Sequence, residues 1–218
     1  MRSAAGGHKA WRYGWFLFAS AFLVLVLTGC AEKGPILLTV GYQAPAEKPG
    51  AVSKISVGVS PFRDGRAHAA SAIGKRTIPS GLENELVVQG TVAELATAIL
   101  KDAFAARGIA VKDVAGWDMT AEGMKAEGVA LLLGGEIKTL WLESTASPLK
   151  TRLNASVQLS IVVGDGLEKK IVRTIEVSSK LGQDVLYSRE RLEKTLSEAL
   201  SSAIDQIFKD DELKKRLQ

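Results

Sequence analysis

The chain has 218 residues, of which 46% are hydrophobic and 24% charged, a composition typical of a folded globular protein rather than a disordered one. Its single cysteine excludes an intramolecular disulfide framework, and its two histidines exclude most histidine-based metal sites. The formal net charge of +4 points at first to an acidic partner such as a nucleic acid.

The first thirty residues have the organisation of an export signal. Arg2, Lys9 and Arg12 form a basic segment, and residues 14–28 are uncharged and mostly apolar. As a helix, this apolar run would span about 22 Å, which is too short for a hydrocarbon core of about 30 Å. The run therefore predicts a signal peptide rather than a transmembrane helix.

The residues that close this segment, Leu27, Thr28, Gly29 and Cys30, resemble the bacterial lipobox. The resemblance implies cleavage before Cys30, a diacylglyceryl group on its thiol and acylation of the new amino terminus. More than one acyl chain gives stable membrane anchoring. The alternative is an ordinary secretory signal followed by a chance cysteine. We expect a lipoprotein signal peptide in residues 1–29 and an anchored protein that carries lipid, such as palmitate, on Cys30.

Cleavage at this point would change the charge of the protein. Residues 1–29 contain three of the 28 basic residues and none of the 24 acidic ones, so the mature chain carries a formal charge of only +1. We therefore expect no nucleic-acid partner. Ala31 replaces the Asp of inner-membrane lipoprotein signals, and by that resemblance predicts the outer membrane, with the domain facing the periplasm. The inner membrane is the alternative.

The mature chain is predicted to begin with a short tether at residues 30–35 and a strand at residues 36–42. If the strand did not dock, residues 31–53 would form a flexible arm with a reach of roughly 25 Å. We favour the docked strand because its Ile, Leu and Val side chains would otherwise form an exposed apolar patch. Strict alternation at residues 54–62 predicts the next strand.

A long irregular stretch, residues 63–90, carries the candidate binding loop, and its short pieces at residues 74–78 and 85–89 are candidates for minor strands. Its charged residues are Arg63, Asp64, Arg66, Lys75 and Arg76. A local excess of positive charge directly after a core strand favours a loop that binds an anion or docks a partner. In the alternative interpretation, Asp64 pairs with one arginine at the end of the strand and the other charges are solvated.

The first helix is indicated by its capping residues. Thr91 and Glu94 predict a capping box, and an apolar stripe runs from there until Gly108 ends the helix. Residues 109–114 then predict a strand, and residues 120–128 a short helix.

Three long strands follow. Residues 129–143 predict the first, with a bulge at the glycine pair Gly134 and Gly135. Alternating apolar residues at 153–163 and 170–181 predict an amphipathic antiparallel hairpin, the clearest structural pattern in the chain.

A terminal amphipathic helix is predicted over residues 189–209, and the charged residues 210–216 extend it. The order of elements predicts an α+β fold with an antiparallel-rich sheet and two long helices packed on one face. We expect this fold to form a single periplasmic domain over residues 36–218.

These features together resemble the YajG-type family of uncharacterised bacterial lipoproteins and the α+β domain of TolB-N-terminal type. The resemblance rests on the lipobox, the early strand, ISVGVSPFRDGR at residues 55–66, AARG at residues 105–108 and DDELKKRL at residues 210–217. It implies a fold and a location, and it provides no catalytic residues.

The sequence contains no phosphate-binding loop, nucleophile elbow or zinc-protease motif. His68 lies among small loop residues, which favours an exposed histidine over a member of a catalytic triad. We expect a non-enzymatic, lipid-anchored accessory protein, without metal or cofactor, that binds an envelope protein or polymer. One alternative is an auxiliary lipoprotein of lipid or solute transport with an apolar cavity near Trp141, although core packing of Trp141 is favoured. The other is a carboxylate-based hydrolase.

Overall fold

The computed structural model of the chain describes residues 34–45, 55–125 and 128–218, so the predicted signal peptide and lipobox lie outside the described residues. Within these residues a sheet of nine strands forms. They are β1 (Ile36–Leu37), β2 (Ser56–Val59), β3 (Arg63–Asp64), β4 (Ala72–Thr77), β5 (Glu83–Val87), β6 (Ala110–Asp113), β7 (Leu131–Ala146), β8 (Thr151–Asp165) and β9 (Lys170–Val185). The helices are α1 (Val92–Ala105), α2 (Arg189–Asp205) and α3 (Asp211–Leu217), with a 3₁₀ turn (Gln206–Lys209) between the last two.

The long strand β7 organises the sheet because it pairs along both of its edges. One edge meets β2, β3 and β4 in turn, all parallel to β7, and the other edge pairs with β8 in antiparallel register. Beyond them, β9 pairs with β8, β5 lies between β4 and β1, and β6 lies beside β2. The fold is therefore mixed α+β. The predicted antiparallel hairpins are present, but the first four strands also form parallel pairs that the sequence analysis did not predict.

One face of this sheet carries the main core, and both long helices pack against it. Side chains at every second position of β8 are buried, as the alternation predicted, and they belong to the same core as the apolar faces of α1 and α2. Each leucine-sized side chain buried in this way contributes about 1.5–3 kcal/mol. The largest fully buried side chains from the helices and the sheet are Phe104, Leu100, Leu133, Ile137, Leu140, Leu142 and Leu159. In the described part of the chain, no helix is both long and apolar enough to span a membrane.

The start of α1 confirms the predicted capping box. The Thr91 hydroxyl accepts a hydrogen bond from the Glu94 backbone N–H at 3.1 Å, and the Glu94 carboxylate accepts one from the Thr91 backbone N–H at 2.8 Å. Two backbone donors that no helix carbonyl can reach are satisfied in this way.

The opposite face of the sheet has a smaller cluster of Trp117, Met124 and Leu132. This cluster explains why residue 134, one of the two glycines that we assigned to a bulge, has no side chain. A Cβ on Gly134 would lie 3.1 Å from the Trp117 ring. The bulge prediction is wrong at this position. Both glycines pair in regular register with β8, and the irregularity lies between Ile137 and Thr139.

Two further expectations need correction. The stretch at residues 63–90 is more regular than expected, because its two candidate minor strands form the β4–β5 hairpin and β3, which was not predicted, lies at its start. The predicted short helix at residues 120–128 is absent from the described residues, 120–125 and 128, of that range. Its start is a turn, in which the Asp118 carboxylate accepts hydrogen bonds from the Thr120 backbone N–H and hydroxyl. Local side-chain bonds of this kind compete with helix formation.

The carboxyl terminus does not extend α2, contrary to the expectation from its charge pattern. Asp210 adopts an extended conformation and caps α3, accepting hydrogen bonds from the backbone N–H groups of Glu212 and Leu213. Arg216 of α3 then reaches the Asp165 carboxylate at 2.7 Å. This short helix therefore packs back onto the end of β8.

Candidate functional site

The segment that follows the predicted lipid anchor is fixed to the domain by hydrogen bonds. After the two residues of β1, Leu38 still donates its backbone N–H to the Val87 carbonyl of β5, and residues 39–43 then run along α2. Backbone N–H groups at alternate positions of this docking segment donate to side chains of α2. The pairs are Thr39 to Glu193 (2.9 Å), Gly41 to Ser197 (3.2 Å) and Gln43 to Ser201 (2.8 Å).

The repeat of these bonds has a geometric cause. Two residues of extended chain advance about 6.6 Å, and four residues of α-helix advance about 6.0 Å, so the two spacings nearly match. Glu193, Ser197 and Ser201 are spaced by four and share one helix face, which makes α2 a docking rail for extended backbone. The predicted strand over residues 36–42 is thus docked as expected, although only Ile36 and Leu37 pair with another strand.

The docking segment ends beside a cleft of about 550 Å³, which is lined by residues 43–45, by Arg107 just after α1, and by the end of α2 with the 3₁₀ turn. Three side chains from distant parts of the chain meet there. Arg107 donates to the Tyr42 hydroxyl at 2.7 Å and to the Asp205 carboxylate at 2.9 Å, and Tyr42 donates to the same carboxylate at 2.7 Å. The Arg107 guanidinium also lies 3.7 Å from the centre of the Phe208 ring. The cluster fastens the docking segment to both long helices.

Burial, reinforced by the hydrogen bond to Asp205, raises the pKa of Tyr42, and Arg107 opposes this shift. The tyrosine is therefore a neutral hydroxyl at physiological pH, when it donates to the carboxylate. Asp205 balances the charge of Arg107 inside the cluster. The arrangement is that of a structural cluster, which fixes the docking segment to the rest of the domain.

The predicted binding loop is partly built into the fold. The Arg66 side chain is only 2% exposed, and it donates to both carboxylate oxygens of Asp64 at 2.8 Å. It also donates to the backbone carbonyls of Ala72 (2.7 Å) and Leu140 (3.1 Å), so it joins β3 to β4 and β7. These bonds hold the pKa of Asp64 below its usual value. This pair corresponds to the alternative interpretation, in which Asp64 pairs with one arginine.

The other three predicted loop residues lie apart from this pair. Arg63 is exposed and donates to the backbone carbonyl of Asp118 at 2.8 Å. Lys75 forms an ion pair with Glu83 at 3.0 Å on the β4–β5 hairpin. Arg76 lies over the Tyr187 ring, 3.8 Å from its centre. The five residues do not converge on one pocket.

The aromatic residue that we considered as part of an apolar site has a different neighbour. His68 stacks on Trp141 with a centroid separation of 4.1 Å. On the neighbouring strand β8, Trp141 pairs with Ser156. Asn154, Gln158 and Ser160 lie on the same face of β8 as Ser156. The surroundings of Trp141 on this face are polar and the residue is only half-buried, so the favoured core packing of Trp141 is wrong, whereas His68 is exposed, as predicted.

The described residues contain no group of three or more His, Cys, Asp or Glu side chains placed to hold a metal ion. Some of the ion pairs that they contain join distant elements of the fold, such as Arg107 with Asp205 and Arg216 with Asp165.

The docking rail and the cleft cluster were both missed in the sequence analysis. Tyr42, Arg107 and Asp205 are far apart in the chain, and no local pattern connects them. The docking rail could have been predicted from the sequence in part, since Ser197 and Ser201 are polar residues on the apolar face of α2, where they are buried. Buried hydroxyls need partners, so two serines spaced by four on such a face indicate a polar chain packed against the helix.

No protein-family model matches the sequence, and no curated protein matches it significantly. Among solved structures the chain is similar to protein XCC0632 from Xanthomonas campestris, of family DUF330. The TM-score is 0.52, the identity 9%, and the match covers 83% of this chain and 98% of the other. At this identity the similarity shows a shared fold alone.

Two further similarities are weaker in structure. A homologue of neuraminyllactose-binding hemagglutinin from Helicobacter pylori gives a TM-score of 0.47 at 11% identity, covering 82% of this chain and 96% of the other. Lipoprotein GNA1162 from Neisseria meningitidis gives a TM-score of 0.36 at 15% identity, covering 72% of this chain and 99% of the other.

Proposed function

We propose that this protein is a lipid-anchored accessory protein of the bacterial envelope, attached through Cys30 and related to the YajG-type lipoproteins. The observation that carries the proposal is the lipobox at residues 27–30, followed after a few residues by a segment docked on the domain. Because residues 36–43 are held by β5 and α2, the chain between the anchor and the folded domain is short. A lipid on Cys30 would therefore hold the domain close to the membrane.

A binding role without catalysis agrees with the structural contacts that the charged side chains make. Arg107 and Arg216 form ion pairs that join elements of the fold, and Arg66 joins elements through its hydrogen bonds to two backbone carbonyls. The charged groups of the predicted loop that remain at the surface are Arg63 and Lys75. We propose that an envelope protein or polymer contacts the domain at one of these two positions, which lie apart on the sheet, without a metal or a cofactor.

The transport alternative calls for an apolar cavity beside Trp141. The stack with His68 and the polar face of β8 do not favour it. We therefore make no proposal of a carried lipid or solute.

The proposed location is the periplasmic face of the outer membrane. Ala31 is the support for this choice, because it stands where inner-membrane lipoproteins have Asp. The near-neutral charge of the mature chain agrees with a location away from nucleic acid.

Metabolic labelling with radioactive palmitate tests the anchor. We expect the wild-type protein to carry the label in the membrane fraction and Cys30→Ser to carry none, since the substitution removes the thiol that accepts the glyceride. Thr28→Ser is the matched control, because it keeps a small hydroxyl residue in the motif and should retain labelling. Label that persists in Cys30→Ser would overturn the proposal.

A further inference from the structure

One end of the sheet carries a group of exposed apolar side chains. At this end β7 turns into β8, β9 leads into α2, and the β4–β5 hairpin has its tip. The exposed fractions there are 56% for Leu82, 87% for Leu149, 80% for Leu186 and 43% for Tyr187. We call this group the apolar end. It holds four of the seven large apolar side chains that are exposed in the described part of the chain.

The strand registers place these residues at the same level. Thr77 at the end of β4 pairs with Thr145 of β7, whose last residue, Ala146, pairs with Thr151. Thr151 in turn pairs with Val185, one residue before Leu186. The Arg76 guanidinium contacts the Tyr187 ring at 3.8 Å, so the β4–β5 hairpin and the α2 entry touch directly. The side chains of the apolar end therefore lie at the same end of the sheet.

The chain leading from the proposed anchor enters the domain near this surface. Ile36 pairs with Leu86, which pairs with Gly74, which pairs with Leu142 of β7. Ile36 is therefore level with Leu142 of β7. Leu142 lies four residues, or about 13 Å, from the Ala146 end of β7, and about 36 Å from the end at Leu131. β1 is parallel to β5, and β5 begins at the hairpin tip, so the chain comes from the side of the apolar end.

The length of the chain decides which end can meet the membrane. Five residue steps separate Cys30 from Pro35, and a fully extended chain of that length spans at most about 17 Å. This is enough to reach the level of the apolar end. It is less than half of the distance along the strands to the opposite end, where the β8–β9 turn carries Leu167.

We infer that the apolar end lies against the lipid bilayer, with Leu149 and Leu186 inserted at the boundary between headgroups and acyl chains. The inference rests on the proposed lipidation of Cys30 and adds the orientation of the domain. Exposed leucines with a tyrosine beside them are typical of surfaces that insert to this depth. The basic groups at this end are partly neutralised, since Lys150 and Arg152 share Asp184. The contact is apolar in origin, and it does not require anionic lipid.

Two leucines at opposite ends of the hairpins provide a matched test. Leu149 lies in the β7–β8 turn and Leu167 in the β8–β9 turn, and both are at least 80% exposed. Leu149→Cys and Leu167→Cys are expressed as full chains, in which Cys30 is blocked by lipid and the introduced thiol takes an environment-sensitive fluorophore. The purified proteins are reconstituted into phosphatidylcholine and phosphatidylethanolamine vesicles that contain a lipid-borne nitroxide quencher.

We expect quenching of the label at position 149 to exceed that at position 167 by about threefold or more, because insertion brings the label into contact with lipid. Leu186→Cys should behave like Leu149→Cys, which guards against a local effect of one substitution. Equal quenching at positions 149 and 167, or shielding of position 149 from aqueous iodide without quenching by lipid, would overturn the inference. The second result would indicate a protein partner on this surface.

The mass of the same samples shows whether a negative result contradicts only the proposed orientation or also the proposed lipidation of Cys30. A second fluorophore on Cys30 would show that this thiol is free and would overturn both proposals. An acylated Cys30 with a water-exposed label at position 149 would overturn the orientation alone.

Discussion

Gly74→Ala is expected to destabilise the protein by about 3 kcal/mol or more, because a backbone contact leaves no room for a side chain. Gly74 lies in β4 next to an irregularity in its pairing with β5, and it faces Leu142 of β7. A Cβ at this position would lie 2.9 Å from the Leu142 carbonyl carbon and would overlap its oxygen. To accept a methyl group, β4 must move away from β7, which breaks parallel pairing in the middle of the sheet.

Thermal unfolding followed by circular dichroism measures this effect. A loss of about 3 kcal/mol corresponds to a fall in Tm of roughly 10 °C for a domain of this size. Gly41→Ala is the matched control, since a Cβ there has no atom within 4 Å, and it should leave Tm nearly unchanged. A Gly74→Ala variant with the Tm of the wild type would contradict the close approach of the two strands.

Arg66→Ala is expected to lower the free energy of unfolding by about 2–4 kcal/mol, since it removes hydrogen bonds from a side chain that is 2% exposed. The substitution leaves Asp64 without its partner and two backbone carbonyls, those of Ala72 and Leu140, without a donor. Arg63→Ala is the control in the same loop. Its exposed side chain makes one surface hydrogen bond, so its effect should stay within about 0.5 kcal/mol.

The effect of Arg66→Ala should also depend on pH. The ordinary pKa of an aspartate in an unfolded chain is about 3.9, and hydrogen bonds from Arg66 hold the pKa of folded Asp64 below its usual value. The ionised pair therefore stabilises the fold fully above the unfolded value, and its contribution disappears as the pH falls through the folded value. Denaturant unfolding at pH 7 and pH 3 checks this. The deficit of the variant should be smaller at pH 3, and a constant or larger deficit would contradict the pairing.

These results bear on the loop predicted to dock a partner. A charge reversal at both Arg63 and Arg66 would not separate binding from folding, because Arg66 is a structural residue. Arg63 and Lys75 are the positions at which a surface contact can be tested without loss of stability.

Local patterns in the sequence predicted much of the fold. The capping box of Thr91 and Glu94 and the alternation along β8 are correct because each is determined within a few residues of chain. The parallel pairing of β2, β3 and β4 with β7 was not predictable in the same way. It joins segments more than sixty residues apart, and no short-range periodicity specifies the register between them.

The site shows the same division. Exposure of His68 followed from its small neighbours, but its stack on Trp141 depends on where the loop folds over β7. The cleft cluster of Tyr42, Arg107 and Asp205 combines residues from three regions of the chain, so it became visible only in the structure.

The intact mass of the protein extracted from bacterial membranes tests the central claim, a domain held close to the bilayer by a lipid on Cys30. The account predicts a mass equal to residues 30–218 plus a diacylglyceryl group and an amide-linked acyl chain. A mass that matches an unmodified chain, whether it retains residues 1–29 or begins beyond Cys30, would contradict it.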